Sequence, residues 1–272
     1  MKKKGLTIGM IIAFLLGLFF LLLLWWSANK IMTSNNLHYL PAPKDIFTQI
    51  GDFLFGSNAG ETYAAIGYSF LKLIIGFGFS FLLAALLGTI SAIFPLFSSF
   101  EKSHIILLRS IPTAGIALIL GVAFWLEIPS LQPYIPSVLI FLVAFPIVYQ
   151  AFLDGINSLS KDERDSLRLE GAERKIFTIF NVYWPDAKEY IALSVKQGIG
   201  LSFKVAVMSE VVTNSGTHEA GGIGTLIGKA IQEEANLNAA ISYSLIAVLV
   251  MLVLDLLAWV VNRLRKTELN SF

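Results

Sequence analysis

The chain contains no cysteine, which excludes disulfides, thiol nucleophiles and cysteine-ligated metals. Charge is scarce too: 14% of its 272 residues are Asp, Glu, Lys or Arg, where a soluble domain carries about 25%. The three histidines, His38, His104 and His218, are scattered over separate segments and offer no metal cluster. Neither an H-E-x-x-H pair nor a G-x-S-x-G elbow occurs. The nearest approach to a phosphate-binding loop is Gly228-Lys229. Ile223 stands where that loop needs an earlier glycine, and Ala230 where it needs Ser or Thr. Glu233-Glu234 reads as a solvated acidic surface, because exposure is the default state of a charge. A net charge of +1, with basic residues dispersed around apolar blocks, gives nucleic acid nothing to bind.

What the chain has is apolar residues, 56% of the total, gathered in six blocks at roughly 6–28, 72–94, 105–127, 135–153, 191–212 and 241–262. Each block has about the 20 residues that a helix needs to cross a bilayer. The runs are continuous, whereas a barrel strand alternates over about ten residues. The expectation is an all-α polytopic membrane protein with about six transmembrane helices. Its parts are an N-terminal anchor at 1–35, an outer segment at 36–65 and a core at 66–266. Lysine and arginine orient it. With the N-terminus inside, the inner segments hold Lys2, Lys3, Lys4, Lys102, Lys161, Arg164, Arg168, Arg174, Lys175, Lys188, Arg263, Arg265 and Lys266, against Lys30, Lys44 and Lys229 outside. Both termini are therefore expected in the cytoplasm. The first block is read as a retained anchor rather than a cleaved signal, because it exceeds a signal core and ends in the interfacial pair Trp25-Trp26.

Within lipid, helices associate through close packing at small residues. The second block presents Gly76, Ser80, Ala84, Gly88 and Ala92, and the fifth Ser194, Gly198, Ser202 and Ala206, in steps of four that keep them near one face. Each seam is either plain bundle packing or a surface that slides during a transport cycle. Arg109 and Pro112 fall in the first turn of the third block, where arginine can snorkel and proline is tolerated. Pro146, inside the fourth block, predicts a kink or an opening beside a pathway. Lys204, mid-way along the fifth, reads as the most buried charge, facing either a pathway or a structural partner. Glu210, six residues on, falls on a different face from Lys204.

Two hydrophilic stretches exceed a simple turn. The outer one contains Leu40-Pro41-Ala42-Pro43, extended because each proline restricts its predecessor. The inner one, about 157–187, begins with Ser160 and Glu163 at capping-box spacing, which predicts a helix start. Leu167, Leu169, Ile176, Phe177, Ile179 and Phe180 are too apolar for a solvated loop. Gly171 should end the first helix and Pro185 begin the return to the membrane. The expected product is a compact knob for a soluble partner to grip, or else an interfacial helix resting on headgroups.

The stretch from Asp165 through Leu169, Glu170, Gly171 and Ala172 to Pro185 resembles the coupling loop of ABC-importer permeases. Arg109-Ser110-Ile111-Pro112, Phe145-Pro146 and Glu210 followed by Gly221-Gly222-Ile223-Gly224 resemble motifs of the nitrate/sulfonate/taurine permease group, as does Leu40-Pro41-Ala42-Pro43. The ordered set covers about residues 40–262. Ser166 and Leu167 replace two alanines of the loop motif, and one residue more than usual separates Gly171 from Pro185, with Tyr183-Trp184 in place of a single leucine. The helix after the glycine is therefore expected to be rotated. The resemblance implies a type I ABC-importer permease fold and a permease homodimer. It also implies a separate ATP-binding cassette ATPase that carries ATP and Mg, an extracytoplasmic substrate-binding protein, and no cofactor in this chain. The group handles sulfonate-, nitrate- or taurine-like anions and pyrimidine- or vitamin-like molecules. Two alternatives are an ion-gradient-driven secondary transporter, which would favour acids or histidines deep in several spans where this chain has little beyond Asp255, and a membrane scaffold or enzyme.

Overall fold

The computed structural model describes residues 2–37, 40–173, 175–213 and 221–269; His38, Arg174 and His218 lie outside them. Its helices in chain order are α1 (Lys2–Ser34), α2 (Pro43–Phe55), α3 (Ala59–Ile93), α4 (Pro95–Ser110) and α5 (Thr113–Glu127). They continue with α6 (Ile135–Asn157), α7 (Lys161–Leu169), α8 (Ile176–Thr178), α9 (Trp184–Thr213), α10 (Ile223–Gln232) and α11 (Leu237–Leu269). Five stretches are long and apolar enough to cross a membrane: Ile12–Ser34, Ala59–Ile93, Ser130–Asn157, Ile176–Thr213 and Leu237–Ala258. The sixth expected span, 105–127, is not one helix. It is the pair α4 and α5, bent by 83°.

That break has a local cause. Pro112 has no N–H to donate and disfavours helical backbone at Ile111, and both residues are extended, with ψ of 125° and 103°. Pro112 thus lies between two helices rather than in the first turn of one. At 15 residues, α5 reaches only about 22 Å, too short for the roughly 30 Å of hydrocarbon by itself. Pro146 does the opposite of what its position predicts: α6 runs through it without interruption. The ring is buried in the most enclosed helix of the fold, where Ile135, Leu139, Ile140, Ala144, Val148, Tyr149 and Phe152 are fully covered.

The segment at 36–65 is mostly helical. Ala42 is extended as the prolines require, and Pro43 opens α2, a position where its missing N–H costs nothing. Ile46, Ile50 and Phe53 then line one face, and Phe53 stacks on Tyr243 of α11 at 4.2 Å. α3 begins at Ala59, well before its apolar stretch, and at 35 residues is roughly 52 Å long, so it projects beyond the lipid or tilts.

The expected seams are where the bundle closes. α6 packs between α3 and α9. A methyl group on Gly76 would meet Ile140 Cβ at 2.8 Å, and one on Gly88 would meet Phe152 Cβ at 2.8 Å, both on α6. Gly198 of α9 makes room in the same way for Phe77 of α3, at 2.7 Å. Ser80 donates to the carbonyls of Gly76 and Phe141, Ala84 is fully buried, and Ser194 donates to Ile191. The contacts at Gly76, Gly88 and Gly198 and the Ser80 bond to Phe141 join different helices, whereas the Ser80–Gly76 and Ser194–Ile191 bonds lie within α3 and α9. Ser202 is fully buried with its hydroxyl unpartnered.

Candidate functional site

Two places hold the residues that the sequence marks for function: a buried charge cluster among α3, α9 and α10, and the loop between α6 and α9. Lys204, expected to be the most buried charge, is exposed. It lines a groove of about 590 Å³ between α9 and α11 together with Asp255, on walls of Phe203, Val207, Val248 and Met251. A lysine has a long stem, and here the groove supplies space for it; among the described residues Lys204 forms no ion pair. Of the other expected pathway residues, Glu210 and Pro146 are buried away from that groove, and Arg109 is exposed in the last turn of α4.

The buried ion pair is Lys72 with Glu210, at 3.0 Å, with side chains 9% and 0% exposed. Glu210 is held by two further donors, one of them itself anchored. Ser69 donates to its Oε2 at 2.8 Å, the Gly224 N–H donates to the same oxygen at 3.1 Å, and the Ile223 N–H donates to Ser69 at 2.9 Å. Glu210 therefore caps α10, whose own cap residue, Gly222, has no side chain with which to do so. A carboxylate at a helix N-terminus is also stabilised by the positive end of the helix dipole. Ser137 of α6 joins by donating to the Lys72 carbonyl at 3.1 Å.

The glycines explain themselves in this setting. A Cβ on Gly222 would overlap the Glu210 carboxylate, and one on Gly224 would run into the Val207 carbonyl and lie 2.6 Å from Glu210 Cβ. The Glu…Gly-Gly-Ile-Gly pattern is thus one device, an acid and the bare backbone that lets it reach a helix end. Lys72 had a readable signal: it continues the small-residue seam backward in a step of four from Gly76, just as Glu210 continues the other seam forward from Ala206.

The loop folds as its pattern predicts at the start. Ser160 accepts from the Glu163 N–H, while Glu163 accepts from the Ser160 N–H at 3.0 Å, which completes the capping box. The Ser160 hydroxyl, which donates to Glu163 at 2.6 Å, and then the Ser160 N–H hold the Glu163 carboxyl below the usual glutamate range. A carboxyl lowered on folding contributes stability at neutral pH and loses it as pH falls through its folded value. Amide-exchange protection of α7, corrected for intrinsic rates, is accordingly expected to fall as the pH drops below the ordinary glutamate range, and to do so less in Ser160→Ala.

α7 ends on Gly171 at φ +62°, with the Gly171 N–H bonded to the Arg168 carbonyl at 2.9 Å and the Ala172 N–H to the Leu167 carbonyl at 2.8 Å. This double closure needs a residue in the left-handed region, which glycine enters freely. Glu170 is the cap residue, and Asp165 lies 3.7 Å from Arg168, which also donates to Glu173 at 3.0 Å. The chain then re-enters through α8 and a π-helical turn, Ile179–Tyr183, that leads directly into α9. A π turn holds more residues than an α turn, so the extra residue before Pro185 has a place. The widened turn also lies where the Pro185 ring would press on the carbonyl four residues back.

Ile156, Leu159, Ile179 and Tyr183 form a small core under this loop, with Leu167 packed against it. Outward, Leu169 is 91% exposed, Phe177 73%, Ile176 62% and Phe180 50%. Monomeric proteins seldom present such a concentration of large apolar side chains without covering it.

The comparisons agree with this architecture. The family model for the binding-protein-dependent transport system inner membrane component matches residues 84–266. Among solved structures, two chains of the MetNI methionine ABC transporter, both in inward-facing conformations, share the fold. One, from a selenomethionine-soaked crystal form, has a TM-score of 0.58 at 15% identity and covers 73% of this chain and 93% of its own. The other, from a native crystal form, has a TM-score of 0.55 at 18% identity, with 74% and 93% covered. No curated protein sequence matches the chain.

Proposed function

The chain belongs to the binding-protein-dependent transport system inner membrane components, a family of multi-pass importer permeases, and from that premise we propose that its Ser160–Pro185 loop is the handle by which a separate ATPase drives it. The observation that carries this reading is the apolar surface of Leu169, Ile176, Phe177 and Phe180, set on a rigid knob rather than on a flexible loop. The capping box and the Gly171 closure fix both ends of α7, so a push on it is transmitted through the small core to α6 and α9. Two copies of the permease, two ATPases carrying ATP and Mg, and an outer substrate-binding protein complete the machine. ATP binding draws the loops together, and the bundle alternates between inward- and outward-facing states by rigid-body motion. In that arrangement both termini are cytoplasmic.

The solute is a small molecule, either a sulfonate-, nitrate- or taurine-like anion or a pyrimidine- or vitamin-like compound. The motifs around Arg109 and Glu210 support membership of that subgroup. Of the residues marked for a pathway, Lys204 is best placed, because it lines a membrane-level groove with Asp255.

The test is co-purification. A tagged native chain should retain stoichiometric ATPase activity, and Phe177→Asp with Leu169→Asp should lose more than about nine-tenths of it, since each burial of such a side chain is worth about 1.5–3 kcal/mol. Retention of the ATPase by the double variant would overturn the assignment of the loop.

A further inference from the structure

A second cavity, of about 330 Å³, lies where α4, the end of α3, the end of α6 and the α7 loop meet. Its lining is polar and basic. Lys102 of α4 and Arg164 and Arg168 of the loop face it, and Glu173 is the one acid among the described lining residues. That acid is already taken by Arg168, at 3.0 Å. Arg164 spends one N–H on the Ile156 carbonyl at 3.1 Å and has others to give. Lys102 makes no ion pair among the described residues. The pocket thus holds two cations more than its acid offsets, beside the hydroxyl of Ser98.

The surroundings say what kind of anion would come. α4 turns its polar residues Ser98 and Lys102 into the pocket and leaves Leu96, Phe100, Ile106 and Leu107 exposed, at 88%, 60%, 65% and 64%. It is bent by 83° from α5, so with α5 directed along the bilayer normal α4 lies close to the membrane plane, as an amphipathic interfacial helix does. Leu153 and Ile156, near the end of α6, form the apolar floor. Hydrocarbon therefore gives way to polar groups at the level of the pocket.

We propose that this pocket binds the phosphodiester of an anionic glycerophospholipid, whose acyl chains lie along the apolar side of α4. The phosphate accepts hydrogen bonds from Lys102 on α4 and Arg164 on the loop, and so ties the interfacial helix to the knob. This goes beyond the transport reading and depends only on the chain's placement in a membrane. Arginine and lysine are suited to it, one as a fork and the other as a point charge.

The experiment uses the purified full chain in detergent, titrated with phosphatidylglycerol or phosphatidylcholine and read by native mass spectrometry. Phosphatidylglycerol should be retained more tightly. Lys102→Gln should weaken it about fivefold, the worth of one interfacial cation, and Ser98→Asp, which places a carboxylate in the pocket, by at least as much. Phosphatidylcholine retention should be the same in both variants as in the native chain, which also certifies their fold. Neither inorganic phosphate nor glycerol 3-phosphate should displace the lipid. Equal retention of the two lipids, or unchanged phosphatidylglycerol binding in both variants, would sink the proposal. Displacement by inorganic phosphate would also overturn it, in favour of a soluble anion. ATPase co-purification is a separate readout, so failure here leaves the coupling assignment untouched.

Discussion

Lys72→Met is expected to destabilise the helical bundle by about 3–5 kcal/mol, the range seen when one partner of a buried ion pair is removed. The Glu210 side chain is completely covered, so no water reaches it when the ammonium is gone. Ser69 and the Gly224 N–H still donate to it, which places the effect toward the lower end. The informative partner is Lys72→Met combined with Glu210→Gln. Glutamine carries no charge, and its Oε1 still accepts from the helix end, so the pair of changes should recover more than half of the loss. Thermal unfolding in detergent of the two single variants and the double variant measures this. A Lys72→Met protein as stable as the native chain would show that the pair contributes nothing.

Gly224→Ala is the second large effect, and its cause is different. The added methyl group would run into the Val207 carbonyl, which belongs to the α9 backbone and cannot swing aside. α9 and α10 must separate, and the hydrogen bond from Gly224 to Glu210 lengthens with them. A loss of about 3 kcal/mol follows, at the upper end for overpacking. Neighbouring glycines grade the result. At Gly222 the clash is with the carboxylate of Glu210, a side chain that can yield once its bonds break. At Gly228 the nearest atom is the Val211 carbonyl at 3.2 Å, so alanine there should be tolerated within about 1 kcal/mol. Gly171 has open space around it, and substitution there strains only the backbone. Loss of stability in the order Gly224, Gly222, Gly228 is the expected outcome. Equal effects at all three would remove the packing explanation.

The loop was the most legible part of the site. A capping box is a pair of side chains three residues apart, and a helix-ending glycine is a single position, so both are written in local sequence. The spans were legible for the same reason, since lipid demands a continuous apolar run wherever a helix crosses it. The bend in the third stretch was not legible, because hydropathy does not register direction. Residues 105–127 are mostly apolar, yet Pro112 turns the chain by 83° within them. The helices at Pro43–Phe55 and the start of α3 were not legible, because residues 36–65 lack a long apolar run and a polar segment outside lipid folds into helix as readily as an apolar one.

Lys204 and Lys72 mark the limit most clearly. Both lie in apolar blocks, and a sequence assigns each the same insertion penalty. Steps of four from the small residues reach Lys72 on one helix and Glu210 on the other, so each segment carries a signal of its face, one that went unread in the sequence. That those two faces meet, at 3.0 Å and across 138 residues of chain, follows only from how α3 and α9 pack. Composition and periodicity determined by themselves that the chain lives in a membrane, where most of its helices lie and how its loop is closed, because each of these depends on neighbours along the chain. Which buried charge finds a partner, and where a basic pocket forms between α4 and the knob, was decided by tertiary structure alone, since electrostatic energy depends on distance in space.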